Sequence, residues 1–115
     1  MVSEGNSKTA KIRRLNDEFR RSMNPDLGRC VMTRGVTDLP ELERIAVIQK
    51  TRLFTKFNEE NDPHGEHDFG SFEVSGQKVY FKIDYYDKSL EFGSEDPTDP
   101  EKTTRVLTLL LANEY

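Results

Sequence analysis

Apolar residues recur at helical spacing in two stretches of the N-terminal half of the chain. Over residues 7–23 they form a single stripe, with charged residues on the opposite side, and this predicts a first helix. The turn-forming residues 24–28 then end that helix. A second helix is predicted to begin near Asp38 or Leu39 and to continue to about residue 57. Its apolar positions spread more than halfway round the helix, which predicts burial on more than one side.

Strands are predicted where the apolar period changes to two. A short strand at residues 29–34 precedes the second helix. Phe72 and Val74 predict a strand that the two-residue turn Ser75-Gly76 joins to the next one. In that next strand, four apolar residues alternate with more polar ones over residues 78–86, which is the clearest strand pattern in the chain. Leu90 and Phe92 predict a third strand of the same meander.

The C-terminal residues are predicted to form a last helix over about 100–114. Asp99 is a suitable N-cap residue and Pro100 a suitable first residue. The apolar residues that follow lie almost all round this helix, which predicts either a central core helix or one side of a homodimer interface. The element order is then α-β-α-β-β-β-α. It predicts an α+β fold in which three helices pack an antiparallel sheet of three to four strands.

Length and composition place further bounds on the chain. Its 115 residues predict a single domain, 1–115, with residues 1–7 frayed. No apolar run approaches the ~20 residues that a membrane helix needs, and the first residues lack the apolar centre of a signal peptide. Cys30 is the single cysteine, so an internal disulfide is impossible. We therefore predict a cytoplasmic protein without a membrane partner.

Charge is distributed unevenly along the chain. Residues 1–57 hold twelve Lys/Arg and seven Asp/Glu, whereas residues 58–101 hold three and thirteen, within a net charge of −4. An acidic middle repels phosphate and attracts cations, so a protein partner with a basic surface is favoured over nucleic acid. The candidate binding residues are Asp62, Glu66, Tyr86, Glu95 and Asp96. The alternative, that the two halves neutralise each other across the fold, stays open.

The segment 61-NDPHGEHDFG-70 holds both histidines of the chain. Imidazoles and carboxylates are ligands for zinc or manganese, so His64, His67 and Asp68 are candidate metal ligands and Glu66 is a candidate general base. This is the alternative function, a metal-dependent hydrolase. The competing interpretation is structural: Asn61 and Asp62 open a turn, Gly65 bends it, and Phe69 anchors its exit. No metal or other cofactor is required by that interpretation.

Other chemistry has weaker signals. The chain contains no phosphate-binding glycine loop, no nucleophile elbow and no H-E-x-x-H motif. The polar side of the strand at 78–86 alternates lysines with Tyr80 and Tyr86, a pattern that can stack bases. Helices on both faces of the sheet would instead make these tyrosines core residues, and the acidic loops disfavour nucleic acid.

Several strings resemble one family of short bacterial proteins known as a domain of unknown function. They are NDEFR (16–20), MTRGV (32–36), NDPHGEHDFG (61–70), FKIDYYD (81–87), GSEDPTDP (93–100) and RVLTLLLANEY (105–115). NDP, an aromatic residue or His, and then GEHDFG is the most distinctive of them. The resemblance covers residues 16–115 and implies a bacterial protein, without implying an activity, a cofactor or a fold. The function predicted from the residues is a non-enzymatic protein-binding or regulatory module that uses its acidic loops.

Overall fold

A computed structural model describes residues 7–115 and contains a four-stranded sheet with two helices packed on one of its faces. The elements are α1 (Lys8–Ser22), β1 (Gly28–Met32), α2 (Arg34–Thr37), α3 (Glu41–Arg52), β2 (Phe69–Val74), β3 (Gln77–Tyr86), β4 (Thr104–Leu111) and a final 3₁₀ turn (Ala112–Glu114).

The strands lie in the order β1-β4-β3-β2, so β1 and β2 are the edges of the sheet. The β2–β3 and β3–β4 pairs are antiparallel, and β1 is parallel to β4. The two-residue turn between β2 and β3 has positive φ at both Ser75 (50°) and Gly76 (80°), as a tight hairpin turn requires. The hairpin predicted from the alternating pattern is therefore confirmed.

The first helix begins and ends with identifiable caps. Ser7 Oγ accepts a hydrogen bond from the Ala10 N–H at 3.0 Å, and Met23 ends the helix in the left-handed conformation. Ser7 is thus an ordered cap, although the sequence places it in the frayed end. The rest of that prediction lies outside the described residues.

The core lies between α1, α3 and one face of the sheet. Phe19 of α1 and Val47 of α3 pack with Phe81 of β3 and Leu109 of β4, all of them buried. Gly70 of β2 allows this packing, because a Cβ on it would lie 2.4 Å from a ring carbon of Phe81. The last glycine of NDPHGEHDFG is therefore needed for close approach to an aromatic ring rather than for flexibility.

The predicted C-terminal helix is wrong: residues 104–111 form β4, a central strand. Arg105, Leu107 and Leu109 are buried and alternate with half-buried residues, which is the period of a strand. A short apolar run inside a sheet and a buried helix give similar patterns, because neither has a solvated side. The helical surface expected to supply a homodimer interface is accordingly absent, since Leu107 and Leu109 lie in the core.

The predicted third meander strand is also wrong. Residues 87–92 form a turn in which Asp87 Oδ1 accepts hydrogen bonds from the Ser89 hydroxyl at 2.8 Å and the Glu91 N–H at 3.2 Å. Leu90 has φ 62°, and Phe92 is 70% exposed. A single bridge from Tyr86 to Gly93 is the pairing that this segment makes with the sheet.

The second predicted helix differs in length and in burial. The chain first makes the short helix α2, and α3 begins only after Pro40 and ends at Arg52. Because α3 lies at the side of the helical layer, above the edge strand β2, only Val47 and Thr51 of this helix are fully buried. The expectation that it is buried on more than one side is wrong.

The α+β class, three helices and four strands are confirmed, although the sheet is mixed rather than wholly antiparallel. The β1–β4 pair joins segments far apart in the chain, so no tight turn forces them to be antiparallel. In the part of the chain that the structure describes, none of the helices is both long and apolar enough to cross a membrane.

Candidate functional site

The loop at residues 58–68, called here the histidine loop, is organised by its own asparagines. Asn58 Oδ1 accepts hydrogen bonds from the N–H groups of Glu60 and Asn61 at 2.9 and 3.0 Å. Asn61 Oδ1 accepts from the Asn58 N–H at 2.9 Å, and Asn61 Nδ2 donates to the Lys56 carbonyl at 3.0 Å. These reciprocal bonds define the first half of the loop without help from any ligand.

Asp62 closes the second half of the histidine loop. Its Oδ1 accepts a hydrogen bond from the His67 N–H at 3.0 Å, and its carbonyl accepts one from the Gly65 N–H at 3.1 Å. Gly65 and His67 both have positive φ, at 71° and 57°, so the chain turns sharply twice. Asp62 is only 9% exposed, and its carboxylate stabilises the turn from inside.

The His67 ring is held between α1 and the core. Its Nδ1 lies 2.9 Å from Asp17 Oδ1, and its ring stacks on Phe57 with centroids 3.8 Å apart. The other ring nitrogen, Nε2, lies 3.7 Å from Asp62 Oδ2. His67 therefore attaches the loop to α1 through a carboxylate on one side and an aromatic face on another.

Arg20 completes this attachment beneath the surface. The side chain is fully buried, donates to Asp17 Oδ1 at 3.2 Å from both Nη atoms, and donates to the Phe54 carbonyl at 3.0 Å. Its guanidinium also lies over the rings of Phe57 and Phe81, at 5.2 and 5.6 Å. Burial lowers the pKa of Arg20, and the negative charge of Asp17 opposes that effect.

A second polar chain starts at Glu66. The Tyr85 hydroxyl donates to Glu66 Oε1 at 2.7 Å and accepts from Asn16 Nδ2 at 2.8 Å. Asn16 Nδ2 also donates to the Glu66 carbonyl at 3.0 Å, and Arg105 Nε donates to Asn16 Oδ1 at 2.7 Å. Burial, together with the hydrogen bond to Glu66, raises the pKa of Tyr85 far above its usual range. Glu66, the candidate general base, is thus engaged with Tyr85.

The candidate metal ligands lie in different surroundings. His64 is exposed, and His67 faces Asp17. Burial raises the pKa of the Asp68 carboxyl, and the neighbouring charges of Glu66 and Asp62 raise it further. Within residues 7–115 no group of three or more His, Cys, Asp or Glu side chains is arranged to hold a metal ion. The zinc or manganese site therefore stays a prediction without geometric support.

The second acidic segment, residues 93–103, also uses a carboxylate internally. Asp96 Oδ1 accepts from the N–H and hydroxyl of Thr98 at 3.1 and 2.5 Å, and these bonds lower the pKa of Asp96. Glu95 is exposed beside a cavity of about 530 Å³ that Phe92 and Lys102 also line. Tyr86 is half-buried at the end of β3, opposite Thr104.

Basic residues of α1 and β4 contact the two acidic segments. Arg13 Nη1 donates to the Gly65 carbonyl at 3.1 Å, and Arg105 Nη2 donates to the Pro97 carbonyl at 2.6 Å. Lys11 and Arg14 line a small cavity together with Thr98, and the positive charge of Lys8 helps to lower the pKa of Asp96. The effect of Lys8 on Asp96 is one interaction between the basic and acidic halves, and their mutual neutralisation stays a prediction.

The residues that attach the loops were not among the sequence candidates. Asn16 and Arg20 are fully buried, and they lie four and eight positions after Ile12, at the border of the apolar stripe of α1. Arg105 interrupts an otherwise apolar strand and is fully buried. The sequence signal for such residues is a polar side chain at a position where the periodic pattern expects an apolar one. A polar side chain that is buried there must find a hydrogen-bond partner.

A different surface is left uncovered on the outer side of α3. Leu42 and Ile45 of α3 and its C-cap residue Leu53 are 81%, 46% and 74% exposed along one side, with exposed Gln49 between Ile45 and Leu53. We call these three residues the apolar ridge. Beside its C-terminal end, Leu53, Phe54 and Phe72 line a groove of about 370 Å³ between α3 and β2.

The sequence was compared with known protein families, curated proteins and solved structures. A family described as a protein of unknown function (DUF3768) matches residues 32–114, which include the histidine loop and the strands β2, β3 and β4. No curated protein and no solved structure matches the chain. Helix α1, with the string NDEFR, precedes the matched region. Because the match spans most of the 115 residues, the chain belongs to the DUF3768 family of proteins of unknown function.

Proposed function

We propose that this chain is a protein-binding module that docks a partner through the apolar ridge of α3. The observation that carries the proposal is the exposure of Leu42, Ile45 and Leu53 along one side of α3 and its C-cap. Single exposed apolar residues are ordinary, whereas a row of them beside a groove is typical of an interaction surface. Helix-in-groove and helix-face docking use this kind of row.

The ridge is not needed to hold α3 in place. Val47 and Thr51, on the opposite side of the helix, are fully buried, and Arg44 Nη1 donates to the Leu39 carbonyl at 2.7 Å near its start. Burying one leucine-sized side chain contributes roughly 1.5–3 kcal/mol, so three of them offer a substantial gain to a partner that covers them. Substituting the ridge should consequently affect binding while leaving the fold intact.

The acidic loops are a weaker basis for the same function. Asp62, Glu66 and Asp96 each accept a hydrogen bond from within the chain, and a partner would have to compete with these bonds. Glu95 and Tyr86 are the remaining candidates on that side. A hydrolase is not proposed, because Glu66 and His67 already have intramolecular partners that their catalytic roles would displace.

Site-specific photo-crosslinking in cells tests the proposal. A photoreactive amino acid would be placed at position 42 on the ridge or at position 92, where Phe92 is a comparably exposed apolar residue away from α3. We expect the probe at position 42 to give a discrete adduct that disappears when Ile45→Glu and Leu53→Glu are added. The probe at position 92 should not give that adduct.

Two results would overturn the proposal. The first is an adduct at position 42 that survives the two ridge substitutions or that also forms from position 92. The second is a crosslink between two copies of the chain, which would identify the ridge as a dimer interface. Thermal melts of the purified Ile45→Glu, Leu53→Glu variant should match those of the native protein, since both side chains are exposed.

A further inference from the structure

The strand β2 presents an unpaired edge beside the apolar ridge. It is the last strand in the order β1-β4-β3-β2 and pairs with β3 on one side. The tight turn places Val74 opposite Gln77, so the backbone groups of Val74, Phe72 and Gly70 point towards β3. Those of Glu73, Ser71 and Phe69 then point away from the sheet, in the spacing that an added strand requires.

One contact demonstrates the outward direction of these groups. Lys50 Nζ, which belongs to α3, donates to the Glu73 carbonyl at 2.7 Å. The carbonyl therefore faces α3 and the solvent rather than β3. A flexible lysine can release such an exposed carbonyl, because a surface hydrogen bond of this kind contributes little net stability.

The groove runs along this edge and is suited to apolar side chains. Leu53, Phe54 and Phe72 line it, and Ser71 belongs to the outward-facing positions of β2. Its volume of about 370 Å³ accommodates one or two side chains of a strand laid against β2. Edge pairing supplies affinity through the backbone, while such a groove supplies selectivity through alternate side chains.

The rim of the groove is basic. Lys50 and Lys56 line it, whereas Arg52 of the same helix donates to the Arg21 carbonyl of α1 at 2.8 Å. These two positive charges beside an apolar groove attract an acidic segment and repel a basic one. This preference is opposite to the one expected from the acidic loops, so the two surfaces select different partners.

We propose that the edge of β2 binds an extended acidic segment of a partner protein, which adds a strand to the sheet and inserts apolar side chains into the groove between α3 and β2. This proposal rests on the proposed function, because it names the partner chemistry and the binding mode next to the ridge. The segment has apolar residues at the alternate positions that face the groove, and acidic residues at its ends, within reach of Lys50 and Lys56.

Two designed peptides and one chemical control test the proposal on the intact chain. The first peptide has Val at alternate positions of a central segment, Ser between them and two Glu residues at each end, and the second has Lys in place of Glu. We expect the acidic peptide to bind, as measured by fluorescence anisotropy, and to shift and protect the amides of Phe69 and Ser71 in NMR spectra. The Lys50→Glu, Lys56→Glu variant should bind it at least about tenfold more weakly. Lys88→Glu, Lys102→Glu, with the same charge change elsewhere, should not.

The chemical control separates strand addition from simple charge attraction. An acidic peptide N-methylated at alternate residues keeps its side chains but cannot donate to the edge, so its binding should be lost. Equal binding of the methylated peptide, or tighter binding of the basic peptide, would overturn the proposal. If neither peptide binds while the position 42 adduct still depends on the ridge, the edge proposal fails and the proposed function stands. If the position 42 adduct no longer depends on the ridge while the acidic peptide still binds, the proposed function fails and the edge proposal stands.

Discussion

Arg105 Nε donates a hydrogen bond to Asn16 Oδ1 at 2.7 Å, and neither residue has any solvent-exposed surface. The bond joins β4 to α1 across 89 positions of the chain. Through the side-chain amide of Asn16 the contact continues to Tyr85 and to the Glu66 carbonyl of the histidine loop. A buried polar network thus holds α1, β3, β4 and the histidine loop in one arrangement, and its members have few alternatives once they are removed from water.

Arg105→Lys is expected to destabilise the fold strongly. A lysine cannot reproduce the bonds to Asn16 Oδ1 and the Pro97 carbonyl, and it leaves a buried charge with fewer partners. The free energy of unfolding should fall by about 3 kcal/mol, measured by urea denaturation at neutral pH.

A matched control variant and a double-mutant cycle sharpen this test. Arg34→Lys changes a side chain that is 92% exposed and should alter the free energy of unfolding by less than about 0.5 kcal/mol. Combining Arg105→Lys with Asn16→Ala should cost less than the sum of the single changes, since both remove the same bond. Strict additivity, or an effect no larger than that of Arg34→Lys, would contradict the network.

The two histidines should respond very differently to alanine. His64 is exposed, so His64→Ala should change the free energy of unfolding by less than about 0.5 kcal/mol. His67→Ala loses the contact with Asp17 and the stack on Phe57, and should cost about 1–3 kcal/mol. Thermal melts with and without zinc or manganese measure both effects. A metal site would instead predict a metal-dependent rise in melting temperature that both substitutions abolish.

Tyr85→Phe should lower stability and remove a tyrosine that resists ionisation. The hydroxyl is bonded to Glu66 and Asn16, and its loss should cost about 1–2 kcal/mol. Because the folded-state pKa of Tyr85 is raised, its contribution is present below about pH 10 and is lost as the pH rises above that value. The measurement is the ultraviolet absorbance of phenolate during an alkaline titration of the four tyrosines. The tyrosine that ionises at the highest pH should be missing from the titration of Tyr85→Phe and present in that of the control, Tyr86→Phe. A titration of Tyr85→Phe that still contains this last ionisation would contradict the raised pKa of Tyr85.

Asp68→Asn should raise stability at neutral pH. The pKa of Asp68 is raised by burial and by Glu66 and Asp62, so the folded state favours the protonated carboxyl. This favourable contribution is present in acid and is lost as the pH rises through the raised pKa. The difference in melting temperature between Asp68→Asn and the native protein should therefore grow from about pH 3 to about pH 7. Asp26→Asn, in an exposed turn, should show no such trend. A variant less stable than the native protein at neutral pH would show that the carboxylate is needed.

The parts of the fold that were predictable have local causes. The apolar stripe of α1 defines a helix, and Ser75-Gly76 between alternating residues defines a hairpin. The turn chemistry of NDPHGEHDFG was also readable, since Asn61 and Asp62 bond to backbone groups only a few residues away. In each case the residues that decide the structure are neighbours in the chain.

The sequence by itself determined the α+β class, α1, the β2–β3 hairpin and the turns of the histidine loop, because short-range sterics and hydrogen bonds specify them. Only the tertiary structure decided that residues 104–111 form a central strand, since an apolar run is compatible with a strand or a helix until its neighbours are known. The tertiary structure likewise decided that Asn16 and Arg20 are buried, that His67 faces Asp17, and that one side of α3 stays uncovered. These outcomes depend on which surfaces meet, and contacts between segments that are distant in the chain leave no periodic pattern in the sequence.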